Sequence, residues 1–323
     1  MGKKSKVYIV GKEGFVLKAL VRNLRKNGYD NIITKTPDEL DLLNFEAVSD
    51  FFQKEKPDFV FVPSYKSGSI QANIKSPAEF IYENLVVQNN IIHNSYLNGV
   101  KKLLLIGASC VYPVRNPISN GASPKNTPQP IKEEYFLTGE LEKTSEPYSV
   151  AKISGIVMCQ SYNKQYGTNF FSVIPATLYG PEDDFDLEKS HVLSSLIRKF
   201  HEAKAKGEKE ITLWGSGNPR REFIFVDDLA ESYIFLMNND FDVDLINIGV
   251  GSDISIKELA EMIKKISGFS GEIKWDTSKP DGAMQKLLDN SRIKSLGWSS
   301  KTSFNEGLEK TYKWFVKNYN MLK

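Results

Sequence analysis

Residues 7–14 are Val7-Tyr8-Ile9-Val10-Gly11-Lys12-Glu13-Gly14, four apolar residues followed by a turn that contains two glycines. The apolar run predicts a buried strand and the glycines a tight turn, while the amphipathic pattern over 14–28 predicts a helix. Glycines at such a turn let the backbone approach a pyrophosphate, which then lies at the helix N-terminus. The stretch therefore indicates a dinucleotide-binding turn; a plain strand-to-helix connection is the alternative with the same pattern.

Short apolar runs and longer amphipathic segments alternate through the first half of the chain. Strands are predicted at 6–10, 31–35, 58–63, 102–107 and 170–175, and helices at 14–28, 46–55, 79–98 and 147–165. Strands separated by helices of this length predict a parallel sheet that is covered on both faces. The expected fold class is therefore α/β, with a Rossmann-type doubly wound parallel sheet.

The pattern loosens after residue 180. A helix is predicted at 191–206, strands at 211–214 and 222–226, and helices near 227–238, 255–267 and 304–318. We expect a dinucleotide-binding domain mainly over 1–180, joined in part by 211–250, and a smaller substrate-binding domain mainly over 181–323. The stretch 113–135 is rich in proline, asparagine, serine and glycine and predicts a long, functional surface loop.

Composition argues against several classes of protein. The 323 residues carry a formal net charge of +2, with 41% hydrophobic and 25% charged residues, and this balance gives no reason to expect nucleic acid as a partner. No apolar run reaches the ~18 residues that span a bilayer. Two cysteines and three histidines at no ligand-like spacing argue against a disulfide framework and a metal site. Since the start of the chain lacks the apolar segment of a signal peptide, a cytoplasmic protein is expected.

Tyr148 and Lys152 stand four residues apart in the predicted helix at 147–165. This spacing places both side chains on one helical face. An ammonium beside a phenol favours the phenolate, so a lowered pKa is expected for Tyr148, with proton exchange to a carbonyl or hydroxyl oxygen near neutral pH. Two common residues at this spacing also recur by chance, and a surface tyrosine beside a solvated lysine is the alternative.

Further short motifs accompany this pair in a fixed order along nearly the whole chain. They lie at 79–84, 109–113, 146–152, 159–163, 178–181, 190–192, 214–217, 221–223, 226–228 and 279–282. With these motifs the chain resembles the extended short-chain dehydrogenase/reductases. Within that family it is most similar to the branch that epimerises and reduces GDP-4-keto-6-deoxy-mannose.

The resemblance implies four catalytic side chains. Tyr148 would donate a proton to the C4 oxygen as hydride arrives from a nicotinamide, and Lys152 would hold the cofactor ribose. Cys110 and His191 match the acid/base pair that inverts C3 and C5, because a 4-keto group acidifies the protons on its neighbouring carbons. A thiol and an imidazole, with pKa values near ~8.5 and ~6.5, suit that exchange. Without the resemblance, Cys110 would be interpreted as a small core residue and His191 as a surface residue.

The resemblance also implies the ligands. The cofactor would be NADP, bound by Gly11, Lys12, Gly14, Phe15, Val16, Lys35, Asp41, Asn84 and Lys152. The GDP-sugar would be bound by Lys199, Trp214, Arg221 and Asp281. A guanidinium such as that of Arg221 grips a diphosphate with paired hydrogen bonds. A homodimer through the helices at 79–98 and 147–165 is implied as well.

One departure from the family concerns the C4 oxygen. The family carries serine or threonine, which hydrogen-bonds that oxygen, where this chain has Ala108. Loss of one such donor lowers the rate by about 10²–10³ in other enzymes. Ser109 is a candidate substitute, although adjacent residues on a strand point to opposite faces. A slow enzyme, or one that epimerises without efficient reduction, is therefore an open alternative.

A second departure concerns the cofactor phosphate. The family favours an arginine in the glycine turn, where it grips the 2′-phosphate of NADP, and this chain has Glu13 there beside Lys12. Pro37 stands where another arginine is common, which leaves Lys35. Because a carboxylate repels a phosphate dianion, NAD is the alternative cofactor. Leu17 replaces the third glycine and predicts a first helix that is held further from its strand.

A third departure lies at the sugar end. Residues 283–285 are Ala-Met-Gln where the family has Thr-Pro-Arg, and the 113–135 loop is longer than the family's. A related 4-keto-6-deoxy sugar, such as a heptose or a dideoxy sugar, is therefore an alternative substrate. A binding protein on a dehydrogenase scaffold is the alternative from another class, and the survival of all four catalytic side chains argues against it.

Overall fold

The computed structural model describes residues 1–11, 14–116, 125–187, 190–279, 281 and 283–322. Its strands are β1 (Val7–Ile9), β2 (Ile32–Thr34), β3 (Phe59–Val62), β4 (Lys102–Ile106), β5 (Arg115–Asn116), β6 (Lys125–Asn126), β7 (Phe170–Pro175), β8 (Thr177–Tyr179), β9 (Glu210–Trp214), β10 (Arg220–Arg221), β11 (Phe223–Phe225), β12 (Leu245–Ile248), β13 (Ile254–Ser255), β14 (Glu272–Asp276) and β15 (Gln285–Lys286). Its helices are α1 (Phe15–Lys26), α2 (Phe45–Glu55), α3 (Ile70–Lys75), α4 (Pro77–Leu97), α5 (Glu146–Tyr166), α6 (Val192–Lys206), α7 (Val226–Asn238), α8 (Ile256–Ser267), α9 (Ser291–Ser295) and α10 (Phe304–Asn318).

A parallel sheet forms the centre of the molecule, with the strand order β2-β1-β3-β4-β7-β12. In the register, Val7 pairs with Phe59 and Val60 pairs with Leu103. Strands β1, β3, β4 and β7 are buried along their whole length, as expected for a parallel sheet with both faces covered. The five strands predicted for the first half are confirmed, and β12 is a sixth that the sequence pattern did not predict. The Rossmann-type fold class is confirmed.

The order in which strands are added to the sheet reverses between β1 and β3, because β2 lies on one side of β1 and the later strands lie on the other. In open α/β sheets, ligands bind outside the carboxyl ends of the strands at such a point. Helix α1 packs against α7, while α4 packs against α2 and α5. Gly155 allows the approach of α5 to α4, since a Cβ there would lie 2.6 Å from Oε1 of Gln88. The four helices predicted in this half are present, and α3 was not predicted.

A second hydrophobic core lies outside this sheet. It is built on α6, α8, α10 and β9, and its fully buried members include Leu193, Ile197, Phe200, Leu259, Ile263 and Phe315. The buried carboxylate of Glu222 joins this region to the end of β12. It accepts hydrogen bonds from the backbone N–H groups of Val250 and Gly251, at 2.7 Å each, and of Leu288, at 2.9 Å.

The predicted loop at 113–135 carries local structure where it is described. β5 and β6 pair antiparallel, with Arg115 opposite Asn126, and 117–124 lie outside the described residues. After β6, Ile131 donates to the carbonyl of Leu287 at 2.7 Å, and Glu133 Oε1 accepts from the N–H of Asn247 at 2.9 Å. The second half of this segment is therefore fixed to both parts of the molecule. Among the described helices, none combines the length and the apolar character needed to cross a membrane.

Candidate active site

Tyr148 and Lys152 lie in the first two turns of α5, next to the carboxyl ends of β3 and β4. The hydroxyl of Tyr148 is 2.9 Å from the hydroxyl of Ser64, which follows β3 by two residues. The ammonium of Lys152 donates a hydrogen bond of 2.8 Å to the carbonyl of Ile106, the last residue of β4. The helix spacing predicted from the sequence thus places both groups at the edge of the sheet where ligands bind in this fold.

The predicted pKa shift of Tyr148 has the wrong direction. Burial raises the pKa of the phenol, the neighbouring Cys110 sulfur raises it further, and the hydrogen bond from Ser64 lowers it in part. Burial disfavours every charged form, and here it outweighs the effect expected from a lysine four residues away. Tyr148 is therefore a protonated phenol over the whole neutral range, which suits a proton donor.

Lys152 is buried, with 2% of its surface exposed. Burial lowers its pKa to about 8, and the Cys110 sulfur opposes that shift. The ammonium form therefore prevails at neutral pH but with a small margin. Lysine pKa values move readily on burial because an ammonium is a compact, strongly hydrated charge.

Cys110 lies in a short 3-10 turn, Ser109–Val111, directly after β4. Its thiol shares a hydrogen bond with the hydroxyl of Ser149, and the ammonium groups of Lys286 and Lys152 lower its pKa. Burial is the larger effect and raises the pKa of the thiol overall. The thiol, the phenol of Tyr148 and the ammonium of Lys152 therefore interact within one pocket.

His191 caps α6 at its N-terminal end and is exposed to solvent on one side. Desolvation lowers the pKa of its imidazole, and the carboxylate of Asp184 opposes the shift. Nearby, the hydroxyl of Ser194 donates to Asp183, which ties the preceding loop to α6. Within the described part of the chain, no hydrogen bond joins His191 to Cys110, so the pairing of these two groups stays a prediction.

Ala108 has no hydroxyl. Among the described contacts, the hydroxyl of Ser109 does not hydrogen-bond the phenol of Tyr148. Ala108 is extended, with φ −152° and ψ 149°, and Ser109 begins the 3-10 turn. The side chain that hydrogen-bonds Tyr148 is that of Ser64. Sequence reasoning did not single out Ser64, because the two residues are 84 positions apart and only the sheet brings them together.

The glycine turn fits a dinucleotide. Gly11 has φ +110°, a conformation that favours glycine, and an added Cβ there would meet no atom within 4 Å. Gly14 precedes α1 with extended backbone and provides no side-chain cap, and the first turn of α1 holds no acidic residue. Backbone N–H groups at this helix end are thus available to a pyrophosphate. Lys12 and Glu13 lie outside the described residues.

A cleft of about 490 Å³ adjoins the glycine turn between α1 and the end of β2. Its charged lining consists of Lys18, Arg22, Arg25, Lys35 and the carboxylate of Glu182. The lining carries more cations than carboxylates and suits an anionic group such as a phosphate, which would compete with Glu39 for Lys35 and with Asp227 for Arg22. Of these cations the sequence analysis named Lys35 alone, since the others are scattered over one face of a helix that otherwise packs against the core.

The remaining residues predicted to bind the cofactor are Phe15, Val16, Asn84 and Asp41. Phe15 and Val16 begin α1 and pack against the main core, as does Leu17, with 8% of its surface exposed. Asn84 is buried, and its amide donates to the carbonyl of Lys66 in the loop after β3 and to that of Phe80 in its own helix. Asp41 is exposed and accepts from the N–H of Leu43 at 3.0 Å in a local turn.

The residues predicted to bind the GDP-sugar extend from the thiol outwards. Lys286, which the sequence analysis did not name, interacts with both Cys110 and Arg221. Arg221 is fixed by a hydrogen bond of 2.6 Å to the carbonyl of Ala283, and it interacts with the carboxylate of Asp281. A row of charged groups thus runs from the thiol pocket to the second core.

The outer end of this row is open to solvent. Asp281 accepts from the N–H and the hydroxyl of Ser216, at 2.9 and 2.6 Å, and this lowers its pKa. Trp214 is 64% exposed, and the ammonium of Lys279 lies 5.7 Å from its ring centre. Lys199 is half-buried on α6, and burial lowers its pKa. An exposed indole beside cations provides a stacking surface for a flat base. Pro280 and Gly282 lie outside the described residues.

The described side chains of the site do not form a metal-binding cluster. Among the residues that the structure describes, no cluster of three or more histidine, cysteine, aspartate or glutamate side chains could hold a metal ion. The titratable groups that the structure brings together here are a phenol, a thiol and an ammonium.

Comparison with known proteins agrees with this geometry. Residues 7–249 match the NAD dependent epimerase/dehydratase family. The chain is 46% identical over 316 residues to GDP-L-fucose synthase 1 of Arabidopsis thaliana, covering 98% of this chain and 94% of that protein. It is 44% identical over 324 residues to GDP-L-fucose synthase of Escherichia coli, covering 98% of each. Among solved structures it is similar to MlghC, a GDP-mannoheptose C4 reductase of Campylobacter jejuni with NADP bound, with a TM-score of 0.86, 43% identity and coverage of 98% and 99%.

Proposed function

The chain belongs to the NAD-dependent epimerase/dehydratase family, and we propose that it epimerises and reduces a GDP-4-keto-6-deoxy sugar with NADPH. Its relatives named GDP-L-fucose synthase support the GDP-sugar substrate and the two-step reaction. The observation that carries the proposal is the pocket in which the Tyr148 phenol, the Lys152 ammonium and the Cys110 thiol interact beside a dinucleotide turn.

Epimerisation at C3 and C5 would use Cys110 and His191. Inversion requires a proton to be removed from one face of the sugar and returned on the other. Burial raises the pKa of the thiol, and desolvation lowers the pKa of the imidazole, which is the more exposed of the two groups. The pair thus begins with one proton donor and one proton acceptor, and the cations of Lys286 and Lys152 favour the thiolate when it forms.

Reduction at C4 would use Tyr148 and Lys152. Bound NADPH supplies the hydride to the C4 carbon. The neutral phenol gives its proton to the C4 oxygen, which completes the hydroxyl group. The ammonium of Lys152, fixed on the carbonyl of Ile106, holds the cofactor ribose and offsets the negative charge that remains on the phenolate.

The cofactor phosphates would lie along α1. The pyrophosphate would be bound by backbone N–H groups of the first turn of α1, after Gly14, where no side chain caps the helix. The 2′-phosphate of NADP would lie in the adjacent cleft, where Lys18, Arg25 and Lys35 supply positive charge. This arrangement explains how NADP is accepted although Glu13 occupies the family's arginine position. Asn84 would act indirectly, by fixing the loop after β3.

The GDP-sugar would extend from the thiol pocket to the second core. The guanidinium of Arg221 and the ammonium of Lys199 would bind the diphosphate, and Trp214 would stack on the base, with Asp281 fixed on Ser216 beside it. The two hydrophobic cores would thus correspond to the dinucleotide-binding and substrate-binding domains that the sequence predicts.

A homodimer and a reducing compartment complete the proposal. Helices α4 and α5 pack side by side and expose large apolar side chains, namely Tyr82, Leu97, Val157 and Tyr166. Exposed apolar side chains on two helices that pack together favour an interaction site at this face. Both cysteines are free, and a catalytic thiol such as that of Cys110 needs the reducing conditions of the cytoplasm.

The test is to incubate the protein with GDP-4-keto-6-deoxy-mannose and NADPH in deuterated water. The loss of NADPH absorbance measures reduction, and deuterium in the sugar, detected by mass spectrometry, measures proton exchange at C3 and C5. Both signals are expected. Absence of both with this sugar and with a GDP-4-keto-heptose would reject the function.

Reduction alone of a GDP-linked keto-heptose is the second candidate. It is favoured by the similarity to the C4 reductase MlghC over nearly the whole of both chains. NADPH oxidation with the heptose and no deuterium in the product would establish this alternative. Exchange with either sugar would exclude it.

A further inference from the structure

Ser64 occupies a place that the family resemblance does not account for. Its hydroxyl lies 2.9 Å from the hydroxyl of Tyr148, and the ring of Tyr148 packs edge-on against Phe80 with 6.0 Å between the ring centres. Among the described side chains, Ser64 is the hydrogen-bond partner of this phenol. Ser64 itself is half-buried.

The sheet brings Ser64 to the place where a hydroxyl is missing. Val62 pairs with Leu105 at the ends of β3 and β4. Ser64 follows the end of β3 by two residues, and Ala108 follows the end of β4 by two residues. Parallel neighbouring strands in register deliver both positions to the same edge of the sheet. The chain thus has a hydroxyl on the strand next to the one on which the family carries it.

The segment that carries Ser64 is held in place. The amide of Asn84 donates to the carbonyl of Lys66 at 2.9 Å and accepts from the N–H of Lys66 at 3.2 Å. The ammonium of Lys66 is in turn paired with Glu79 and Glu83 on α4. Two residues before this anchor, the hydroxyl of Ser64 has little freedom to leave the phenol, so the contact is preorganised.

We propose that Ser64 is a positioning residue for C4 reduction, acting through Tyr148 and compensating for Ala108. The inference rests on the proposed function. In the reaction, the hydride of NADPH forms the new C–H bond at C4, leaving NADP⁺, and the π electrons of the carbonyl move to the C4 oxygen. The O–H bond of Tyr148 breaks as its proton bonds to that oxygen. Ser64 keeps its proton and donates a hydrogen bond to the phenolate that remains, and a proton from water then restores the phenol.

Burial makes this contact important. The surroundings of Tyr148 disfavour its charged form, so the phenolate formed during reduction depends on the donors aimed at it. A hydrogen bond to an ionised group is roughly twice as strong as one between neutral groups. A donor on the proton-giving residue therefore recovers part of the rate that is lost when the C4 oxygen lacks its own donor.

The experiment compares Ser64→Ala, Ala108→Ser and the double variant, with Ser67→Ala as the control, because Ser67 is an exposed serine of the same loop. For Ser64→Ala we expect kcat of NADPH oxidation to fall by about 10–100-fold, with KM within about twofold and deuterium exchange at C3 and C5 unchanged. Adding Ala108→Ser should restore most of kcat, since it returns a donor to the C4 oxygen. Ser67→Ala should match the wild type.

Three results would overturn the inference. They are an unchanged kcat in Ser64→Ala, a parallel loss of reduction, exchange and NADPH binding in that variant, and a double variant that is no faster than Ser64→Ala. The parallel loss would identify a structural role. If the wild type turns over neither keto sugar, the proposed function fails and the role of Ser64 fails with it. Wild-type turnover with an unchanged Ser64→Ala overturns the role of Ser64 alone.

Discussion

The two ends of the dinucleotide cleft are built in opposite ways. At the chemical end, Tyr148 and Cys110 are half-buried and Lys152 is buried, and the Tyr148 hydroxyl and the Lys152 ammonium have hydrogen-bond partners at 2.9 and 2.8 Å. At the phosphate end, Lys18 and Arg22 keep more than two fifths of their side-chain surface exposed, at 44% and 42%, and share the carboxylate of Glu182. Burial therefore sets the protonation states at the first end, while solvent screens the charges at the second.

This difference explains where the chain tolerates change. An exposed cation gains little from any one partner, because surface ion pairs contribute about 0–1 kcal/mol. Charge at the phosphate end can thus move from the glycine turn to α1 without loss of the site. A buried group has no such freedom, and a missing donor there must be replaced from a neighbouring strand. Substitutions should accordingly have large effects at the first end and graded effects at the second.

The largest effect is expected from Tyr148→Phe. Removal of the phenolic proton should lower C4 reduction by about 10³–10⁴-fold, at the upper end of what one acid group contributes. Deuterium exchange at C3 and C5 should continue, since the thiol and the imidazole remain. Stopped-flow absorbance of NADPH and mass spectrometry of the sugar measure the two steps separately.

Tyr166→Phe is the matched control, because Tyr166 lies on the same helix and is 45% exposed. Equal losses of reduction and exchange in Tyr148→Phe would contradict the separate roles assigned to the phenol and the thiol.

Cys110→Ser should produce the reverse pattern. A hydroxyl does not ionise near neutral pH, so exchange at C3 and C5 should fall by about 10²–10³-fold, while the rate of hydride transfer to an already epimerised sugar stays within about tenfold. The control is Cys159→Ala, because Cys159 is a buried cysteine that packs in the main core. Retained exchange in Cys110→Ser would remove the thiol from the mechanism.

The third prediction is that raising the pH above 8 lowers the rate of reduction and raises the free energy of unfolding. Lys152 is charged below its pKa of about 8 and neutral above it, so kcat/KM for reduction should fall about tenfold per pH unit above pH 8. Its folded-state pKa lies below the ordinary value of 10.5, and the unfolded chain therefore binds more protons between these values. Its contribution to the free energy of unfolding should consequently rise over that range.

A pH-rate profile and urea unfolding at pH 7, 8, 9 and 10 test both parts. A Lys152→Met variant, whose side chain does not titrate, should lack the rise in stability. A wild-type kcat/KM that is constant up to pH 10 would show that the ammonium is not required.

The smallest effects belong to the phosphate end. Lys18→Ala and Arg25→Ala should each raise the Kd of NADPH by about 3–10-fold and leave the Kd of NADH unchanged, because only NADPH carries the 2′-phosphate. Glu182→Gln should act in the opposite direction, since it removes the carboxylate that pairs with Lys18 and leaves Arg22 paired with Asp227 alone.

Lys26→Ala serves as the control for these titrations, because Lys26 is exposed on the same helix and does not line the cleft. Isothermal titration calorimetry with both cofactors gives the ratio of affinities. A parallel change for NADPH and NADH would place the 2′-phosphate elsewhere.

Local pattern predicted most of the fold. The strands at 58–63 and 102–107 are continuous apolar runs, and the structure buries both. β12 was missed because its four residues include Asn247, whose amide donates to the carbonyl of Ile131 and whose oxygen accepts from Tyr112. A polar residue in so short a run gives no apolar signal, and its reason appears only when distant segments meet.

The candidate site shows the same contrast between features set by local sequence and features set by distant contacts. The spacing of Tyr148 and Lys152 follows from helix geometry and was predicted, whereas the direction of the Tyr148 pKa shift was not. That shift depends on burial by residues far away in the sequence, such as Phe80 and Ser64. Lys286 was not predicted for the same reason, since its electrostatic interaction with Cys110 exists only in the folded chain.

The carboxylate of Glu222 opposes one kind of motion, a hinge rotation at residues 249–251. A hinge at 249–251 would detach the N–H groups of Val250 and Gly251 from an acceptor that is 1% exposed. Each buried group left unsatisfied costs about 1–3 kcal/mol, so rigid rotation of one half of the protein against the other is opposed. Heating should consequently melt both cores cooperatively, as one calorimetric unit.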